Sequence, residues 1–260
     1  MKLKLIALAA MLAAGSANAA IDNGKLSGNG EMFLVVNDAV AGYSFVGDLG
    51  IAMDSFNGAV SQSFNLNGFS QWGSFMTAIG GNLNNAVFAV LAQDSLGSTA
   101  GADRMLVSTS SAVSEADMEA TKSNNFASAA TQMNTWLDSL NNNTNVVGGD
   151  MNTVANGSAY SVVGSGTYFD DEIQGYIKNK LTYSVYTDAN EAAKFGMQVT
   201  GGTQSSLAAT IYTPYAGSFT VDGTTLAYTV AAVPEAETYA MMLAGLGLVG
   251  FMVSRRRNAA

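Results

Sequence analysis

The side chains in this chain that could bind a metal ion are carboxylates, and the densest group is the triplet Asp170, Asp171 and Glu172. Oxygen ligands of this kind suit Ca²⁺, so calcium is the one cofactor to consider here. A solvated turn is the alternative that we favour, because three adjacent side chains lack the alternating spacing and central glycine of a calcium loop. A second acidic turn at residues 54–58 has the same two interpretations.

The chain has 260 residues and contains neither histidine nor cysteine. This excludes Ser-His-Asp and Cys-His nucleophiles, His-ligated zinc or iron, and proton transfer by imidazole. The one common reaction class still open is glycoside hydrolysis by two carboxylates. Because no motif assigns such a pair, we expect no catalytic residues and a protein that is not an enzyme.

Aromatic side chains could instead bind carbohydrate. Eight tyrosines are candidates: Tyr160, Tyr168, Tyr176, Tyr183, Tyr186, Tyr212, Tyr215 and Tyr228. An exposed row of them beside asparagine-rich loops would suit stacking on polysaccharide. We favour packing within a sheet, since tyrosine is a common strand residue that pairs across strands. Trp72 and Trp136 lie on apolar helical stripes and are expected in the core.

Short apolar or alternating runs bounded by turn residues predict the strands that would position these groups. The first half contains two hairpins, one joining residues 31–38 to 43–50 and one joining 85–91 to 104–109. Six more strands are predicted at residues 159–169, 180–187, 195–200, 206–212, 218–221 and 225–230. Asp222-Gly223 predicts a tight turn between the last two.

Two amphipathic helices interrupt the strands. Large apolar residues recur every three or four positions over residues 69–83, with Gly80-Gly81 as a stop signal. A longer helix begins at Ser114, forms a capping box with Asp117, and carries its apolar stripe to Leu140. The predicted fold class is therefore mainly β, antiparallel and sandwich-like, with two inserted amphipathic helices.

The amino-terminal segment, residues 1–19, has the features of a signal peptide. Lys2 and Lys4 precede an apolar run over residues 5–14, and Ala17-Asn18-Ala19 gives the small-x-small cleavage pattern. We expect passage through the Sec translocon, removal by signal peptidase, and a mature chain that starts at Ala20.

The body, residues 20–232, is strongly acidic. It contains six Lys and Arg residues against 18 Asp and Glu residues, a formal net charge of −12. A charge of this sign disfavours binding to phosphate backbones, so no nucleic-acid partner is expected. With no cysteine, the body must be stabilised by its core alone.

The carboxyl-terminal segment, residues 233–260, combines a Pro-Glu motif at 233–237 with an uncharged run at 239–253. As a helix, that run would reach about 22 Å, a short span for a hydrocarbon core of about 30 Å. Arg255, Arg256 and Arg257 follow it and favour a cytoplasmic carboxyl terminus. We predict a transmembrane helix with the body outside the inner membrane.

The order of Val233, Pro234 and Glu235, an apolar helix and the arginine cluster resembles the PEP-CTERM sorting signal of Gram-negative bacteria. The resemblance implies an exosortase as partner, processing near Pro234-Glu235, and transfer from the inner membrane to the cell surface or extracellular matrix. Such proteins are associated with exopolysaccharide and biofilm. Ala236 departs from the proline that the family has in the third position.

Two other resemblances carry less functional information. Residues 30–53, together with a closing strand that runs into Val233-Pro234, resemble PEP-CTERM proteins whose bodies have no assigned activity. The run 245–250 matches G-x-G-x-x-G, but no βαβ unit surrounds it and the dinucleotide interpretation is discarded. Small residues there favour close helix packing instead.

Three functions are compatible with the sequence. The leading one is a non-catalytic structural protein of the cell surface or exopolysaccharide matrix. The alternatives are a carbohydrate-binding or adhesive module and a glycoside hydrolase that uses two carboxylates.

Overall fold

A computed structural model describes residues 20–142, 148–149, 157–169, 175–231 and the single residue 246. The signal peptide predicted at 1–19 lies outside the described residues, as does the membrane helix predicted at 239–253 except for Leu246. Within the described part, no helix has the length and apolar character needed to cross a bilayer. The chain divides after Val230 into two units, and the described strands belong to the first.

The described body consists mainly of β-strands. The first five are β1 (Glu31–Asp38), β2 (Tyr43–Ala52), β3 (Gln62–Asn65), β4 (Val87–Asp94) and β5 (Arg104–Ser110). The next three are β6 (Gly148–Gly149), β7 (Ser158–Val162) and β8 (Thr187–Asp188). The last three are β9 (Ala193–Val199), β10 (Ile211–Val221) and β11 (Thr225–Val230).

These strands form one curled antiparallel sheet in the order β3-β11-β10-β9-β5-β4-β1-β2-β7-β6, with β8 paired to the start of β4. The prediction of a mainly antiparallel β fold is confirmed. The prediction of a sandwich-like pair of sheets is wrong, because β5 and β9 pair continuously from Arg104–Val199 to Ser110–Ala193. This ladder joins the two halves into one half-barrel, whereas the sheets of a sandwich share side-chain contacts rather than a hydrogen-bonded ladder.

The central strands are buried on both faces of the sheet. In β1 and β4, every residue after the first is buried. Val35 and Leu91 belong to a core on one face of the sheet, which also contains the helical residues Phe126 and Trp136. Leu34 and Val90 belong to a second core on the opposite face, here called the inner core. Two-sided burial explains why these strands appear in the sequence as continuous apolar runs rather than alternating ones.

One face is covered by α2 (Glu115–Glu119) and α3 (Ser123–Asn141). The capping box between Ser114 and Asp117 is present, but the single long helix predicted from it is wrong. The helix stops because the chain at Lys122 forms a β-bridge with Ala209, flanked by hydrogen bonds from Ser123 N to Ala208 O and from Thr210 N to Thr121 O. These partners replace the helical bonds of one turn.

The inner face is closed by α1 (Trp72–Ala78), which is shorter than the helix predicted over 69–83. Gly80 and Gly81, the predicted stop signal, follow it with positive φ. Trp72 Nε1 donates to Gly223 O at 2.9 Å, beside the β10–β11 turn. Ser158 on β7 contacts the segment before α1, with its Oγ accepting from Gln71 N at 3.3 Å. The helix thus connects the two ends of the open sheet.

Several strand predictions need correction. The strand predicted at 180–187 forms no ladder before Thr187. Residues 181–185 alternate between buried and exposed, but Leu181, Tyr183 and Val185 pack into the core on the α3 side of the sheet. Residues 206–210 are irregular, and β10 instead runs unbroken from Ile211 to Val221. The strand predicted at 159–169 ends at Val162. The four-residue edge strand β3 was not predicted.

Residues 20–30, here called the N-terminal strap, pack against the end of α3 and β4. Ile21 is buried in the core on the α3 side of the sheet. The Asn141 side chain makes two hydrogen bonds with its backbone: Ile21 N donates to Asn141 Oδ1 at 3.0 Å, and Asn141 Nδ2 donates to Ile21 O at 2.9 Å. A Cβ on Gly30 would lie 2.1 Å from Gln93 O, so the backbones meet too closely for any side chain. The strap therefore belongs to the folded body.

We expect Ile21→Ala to lower the free energy of unfolding by about 2–4 kcal/mol, since it leaves a cavity at a fully buried site. Leu26→Ala in the same strap is the matched control, because Leu26 is 88% exposed and its truncation should change stability by less than about 0.5 kcal/mol. Urea denaturation of the two variants measures both values. Equal effects would show that the strap is not docked.

Candidate functional site

Most residues predicted to carry function lie outside the described part of the chain. These are Ala17, Ala19, Asp170, Asp171, Glu172, Val233, Pro234, Glu235, Arg255, Arg256 and Arg257. Ala20, the predicted first residue of the mature chain, is described and half-buried. The chain enters the acidic triplet from Phe169, a buried residue whose ring packs against Trp136 at a centroid distance of 4.8 Å. The two interpretations of the triplet, a favoured solvated turn and a calcium site, both stay predictions.

The second acidic turn is described, and its carboxylate already has a cationic partner. Asp54 lies in a 3-10 turn, Met53–Ser55, and its Oδ1 accepts from Arg104 Nη1 at 2.8 Å. Its backbone N–H donates to Asn29 Oδ1 at 2.9 Å, while Phe56 turns into the inner core. The described fold thus pairs this carboxylate with a guanidinium.

Arg104 gathers groups from three distant segments. Its Nε donates to Asp94 Oδ2 at 3.0 Å, and its Nη2 donates to Gly28 O at 2.7 Å, in addition to the bond with Asp54. We call Arg104, Asp94, Asp54 and Gly28 the Arg104 cluster. The hydrogen bond with Asp54 is the main cause that raises the pKa of Arg104. The Asp94 side chain is only 6% exposed, so this ion pair is largely shielded from water.

Asp103, next to Arg104 in the chain, is fully buried. Burial raises its pKa, and the hydrogen bond from Gln204 Nε2 to its Oδ1 at 3.0 Å opposes this change. The same Gln204 amide donates to Gly97 O in the loop between β4 and β5. Asp103 therefore anchors residues on two loops rather than facing solvent.

The arrangement does not resemble a two-carboxylate hydrolase site. Such a site needs one carboxyl group free to donate a proton and another free to attack or activate water. Asp54 and Asp94 instead share one guanidinium, and Asp94 Oδ1 also accepts from Leu96 N at 2.8 Å. This geometry serves to hold the N-terminal strap and the 94–103 loop together.

The tyrosines mostly pack inside the fold, as favoured from the sequence. Five of the eight are buried: Tyr168, Tyr183, Tyr186, Tyr212 and Tyr228. Tyr160 and Tyr215 are half-buried, and the side chain of Tyr176 lies outside the described residues. Trp72 and Trp136 are also buried, which confirms their predicted place in the core. The described side chains thus provide no exposed row of tyrosines for stacking on sugar.

Buried Asp48 on β2 is a titratable group that sequence reasoning did not single out. It is 6% exposed, and its Oδ1 accepts from Gly50 N at 2.7 Å. Burial, with a smaller contribution from the charge of Glu31, raises the pKa of Asp48 from its ordinary value of 3.8 to about 7. Asp48 therefore changes charge near neutral pH.

Other candidate binding features are small. A cavity of about 90 Å³ is lined by Ile177, Lys178, Tyr183, Ser184 and Val185, none of which is a carboxylate. In the described ranges, no three His, Cys, Asp or Glu side chains are grouped so that they could hold a metal ion.

Comparison with known families assigns the carboxyl-terminal segment. A family model described as a PEP-CTERM protein-sorting motif matches residues 232–257. The chain carries a PEP-CTERM sorting motif and is marked as an exosortase substrate. Such proteins are exported, and are membrane-anchored or sorted to the cell surface through exosortase. Neither the curated proteins nor the solved structures gave a match, so the body remains unassigned.

The Arg104 cluster was also missed from the sequence. The signal that could have suggested it is the scarcity of cations, because Arg104 is the only arginine in the body and follows a glycine-rich loop that begins and ends with aspartate. Its contacts at residues 28, 54 and 94 depend on tertiary folding. No local pattern could have predicted them.

We expect Arg104→Gln to lower the free energy of unfolding by about 3 kcal/mol, because it leaves the buried Asp94 carboxylate without its cation. Asp54→Asn should cost less than about 1 kcal/mol, since the Asp54 side chain is 51% exposed. Urea denaturation at pH 7 tests both values. Equal losses would contradict a cluster in which Asp94 is the critical partner.

Asp48 predicts a pH dependence of stability. Its folded-state pKa is raised, so the folded chain keeps a proton that the unfolded chain has released, and stability falls as pH rises from about 4 to 7. The full loss is about 4 kcal/mol from the pKa difference. Asp48→Asn should remove this loss of stability. The variant should therefore become more stable relative to wild type as pH rises from 5 to 7.

Urea denaturation between pH 5 and 8 measures this gain. Glu191→Gln removes the same charge at an exposed position and is the matched control, whose stability should follow that of wild type. Parallel profiles for wild type and Asp48→Asn would show that Asp48 is ionised throughout this range.

Proposed function

We propose that the chain is a non-catalytic structural protein of the cell surface or the exopolysaccharide matrix, delivered there by exosortase. The single observation that supports delivery is the match of residues 232–257 to the PEP-CTERM protein-sorting motif. The role of the body after delivery is inferred from its chemistry. We do not assign it an enzymatic activity.

The absence of histidine and cysteine supports a non-catalytic body, because it removes the most common nucleophile and proton-transfer systems. The use of the described carboxylates supports it further. Asp54 and Asp94 bind Arg104, Asp103 binds Gln204, and Asp38 accepts from Val40 N and Ala41 N in a turn. Each of these groups stabilises the fold.

The surface suits a hydrated extracellular matrix. The net charge of −12 keeps the body soluble and attracts cations. Exposed positions on α3 bear Thr131 and Thr135, and exposed Asn142 follows the helix, so this surface presents neutral polar side chains. We infer that the delivered body is surrounded by hydrated polysaccharide that is either neutral or bridged by cations.

The experiment compares cells with and without exosortase. We expect the body to be processed and to appear at the surface or in the matrix only when exosortase is present. The recovered body, incubated with the native exopolysaccharide, should produce no new reducing ends. Identical distribution in both strains would contradict the delivery, and new reducing ends produced by the purified body would contradict the non-catalytic role.

A further inference from the structure

The sorting motif follows the folded body almost without a linker. β11 ends at Val230 and the matched motif begins at residue 232, so only Ala231 separates them. The residues just before the motif therefore belong to β11. The position of β11 in the sheet therefore bears on how an enzyme reaches the motif.

β11 is paired on both sides. Its residues from Leu226 to Val230 pair with β10, and its residues from Thr225 to Tyr228 pair with the edge strand β3. Leu226 and Tyr228 are both completely buried in the inner core. The strand is thus part of the sheet rather than a detachable arm.

The carboxyl-terminal end of β11 is additionally fixed by polar contacts. The Tyr228 hydroxyl accepts from Gly217 N at 2.9 Å and donates to Gly58 O at 2.8 Å. Its ring lies against Gly217, where a Cβ would come within 2.5 Å of it. Val230 N donates to Ser61 Oγ at 3.0 Å, which fixes the last residue of the strand.

Proteins commonly recognise a peptide segment in an extended conformation, in which main-chain hydrogen bonds to the partner give affinity. Here the residues on the amino-terminal side of the motif are already held by β10, β3 and the Tyr228 contacts. The enzyme can extend its contact toward the body only when the end of β11 opens locally, and such openings of strand ends are common.

We propose that the carboxyl-terminal end of β11 controls the access of exosortase to the sorting motif. This inference rests on the proposed delivery by exosortase and adds a regulatory step to it. Processing is slow while Val230 and Tyr228 keep their partners and becomes faster when the end of the strand opens. The fold of the body thus sets the rate at which its own carboxyl-terminal segment is processed.

The test inserts six Gly and Ser residues between Ala231 and Ala232 in the full-length chain. A pulse-chase experiment in exosortase-containing cells measures the rate of conversion from precursor to processed product. We expect the insertion to raise the rate severalfold, because the enzyme then binds linker instead of β11. The same insertion after Ala41, in the β1–β2 turn, is the control and should leave the rate unchanged.

A second variant, Tyr228→Phe, keeps the ring and removes the two hydroxyl contacts. The loss of two hydrogen bonds changes a local opening equilibrium by up to about thirtyfold, so we expect processing to become faster by about fivefold to thirtyfold. Thermal unfolding of each variant separates local opening from general loss of the fold. An insertion between Ala231 and Ala232 that leaves the rate unchanged, or lowers it, would overturn the inference.

The two proposals fail in different ways. If the unmodified chain gives no exosortase-dependent product, the delivery itself is contradicted, and the regulatory step falls with it. If the unmodified chain is processed at the same rate as the linker variant, delivery stands and only control by β11 is wrong.

Discussion

Burial of the central strands on both faces of one sheet is the constraint on which the rest of the body depends. β1, β4 and β5 are covered by α3 on one side and by the curl of the sheet itself on the other. The body has no cysteine, so no disulfide supplements this core. Hydrophobic burial must then provide most of the stability, and it requires both covers to be in place.

This constraint also explains how the polar side chains are used. A polar group that reaches either core is stabilised by a partner inside the protein, because burial without a hydrogen bond is costly. Gln93 donates to Asn134, Gln198 accepts from Tyr183, and Arg104 binds Asp94 for this reason. These side chains therefore stabilise the fold, and the sorting motif lies in the carboxyl-terminal segment.

The sequence predicted local structure better than tertiary pairing. The β1–β2 hairpin, the capping box at Ser114 and the turn at Asp222 depend on neighbouring residues and were found. The β5–β9 ladder, which replaces the expected sandwich by one curled sheet, joins residues about 90 positions apart and leaves no local signal. Lys122 and Ala209 interrupt the helix for the same reason. Asp48 could not be identified because its environment depends on packing around β2.

We claim above all that the carboxyl-terminal segment directs the sorting of this protein and that the body folds without this segment. Fusing residues 232–260 to an unrelated exported reporter, and expressing the body without this segment, tests the claim most directly. We predict that the reporter is processed in an exosortase-dependent manner, while the body ending at Ala231 folds with an unchanged thermal transition but is not sorted. A reporter that is not processed, or a body that is sorted without residues 232–260, would contradict the account.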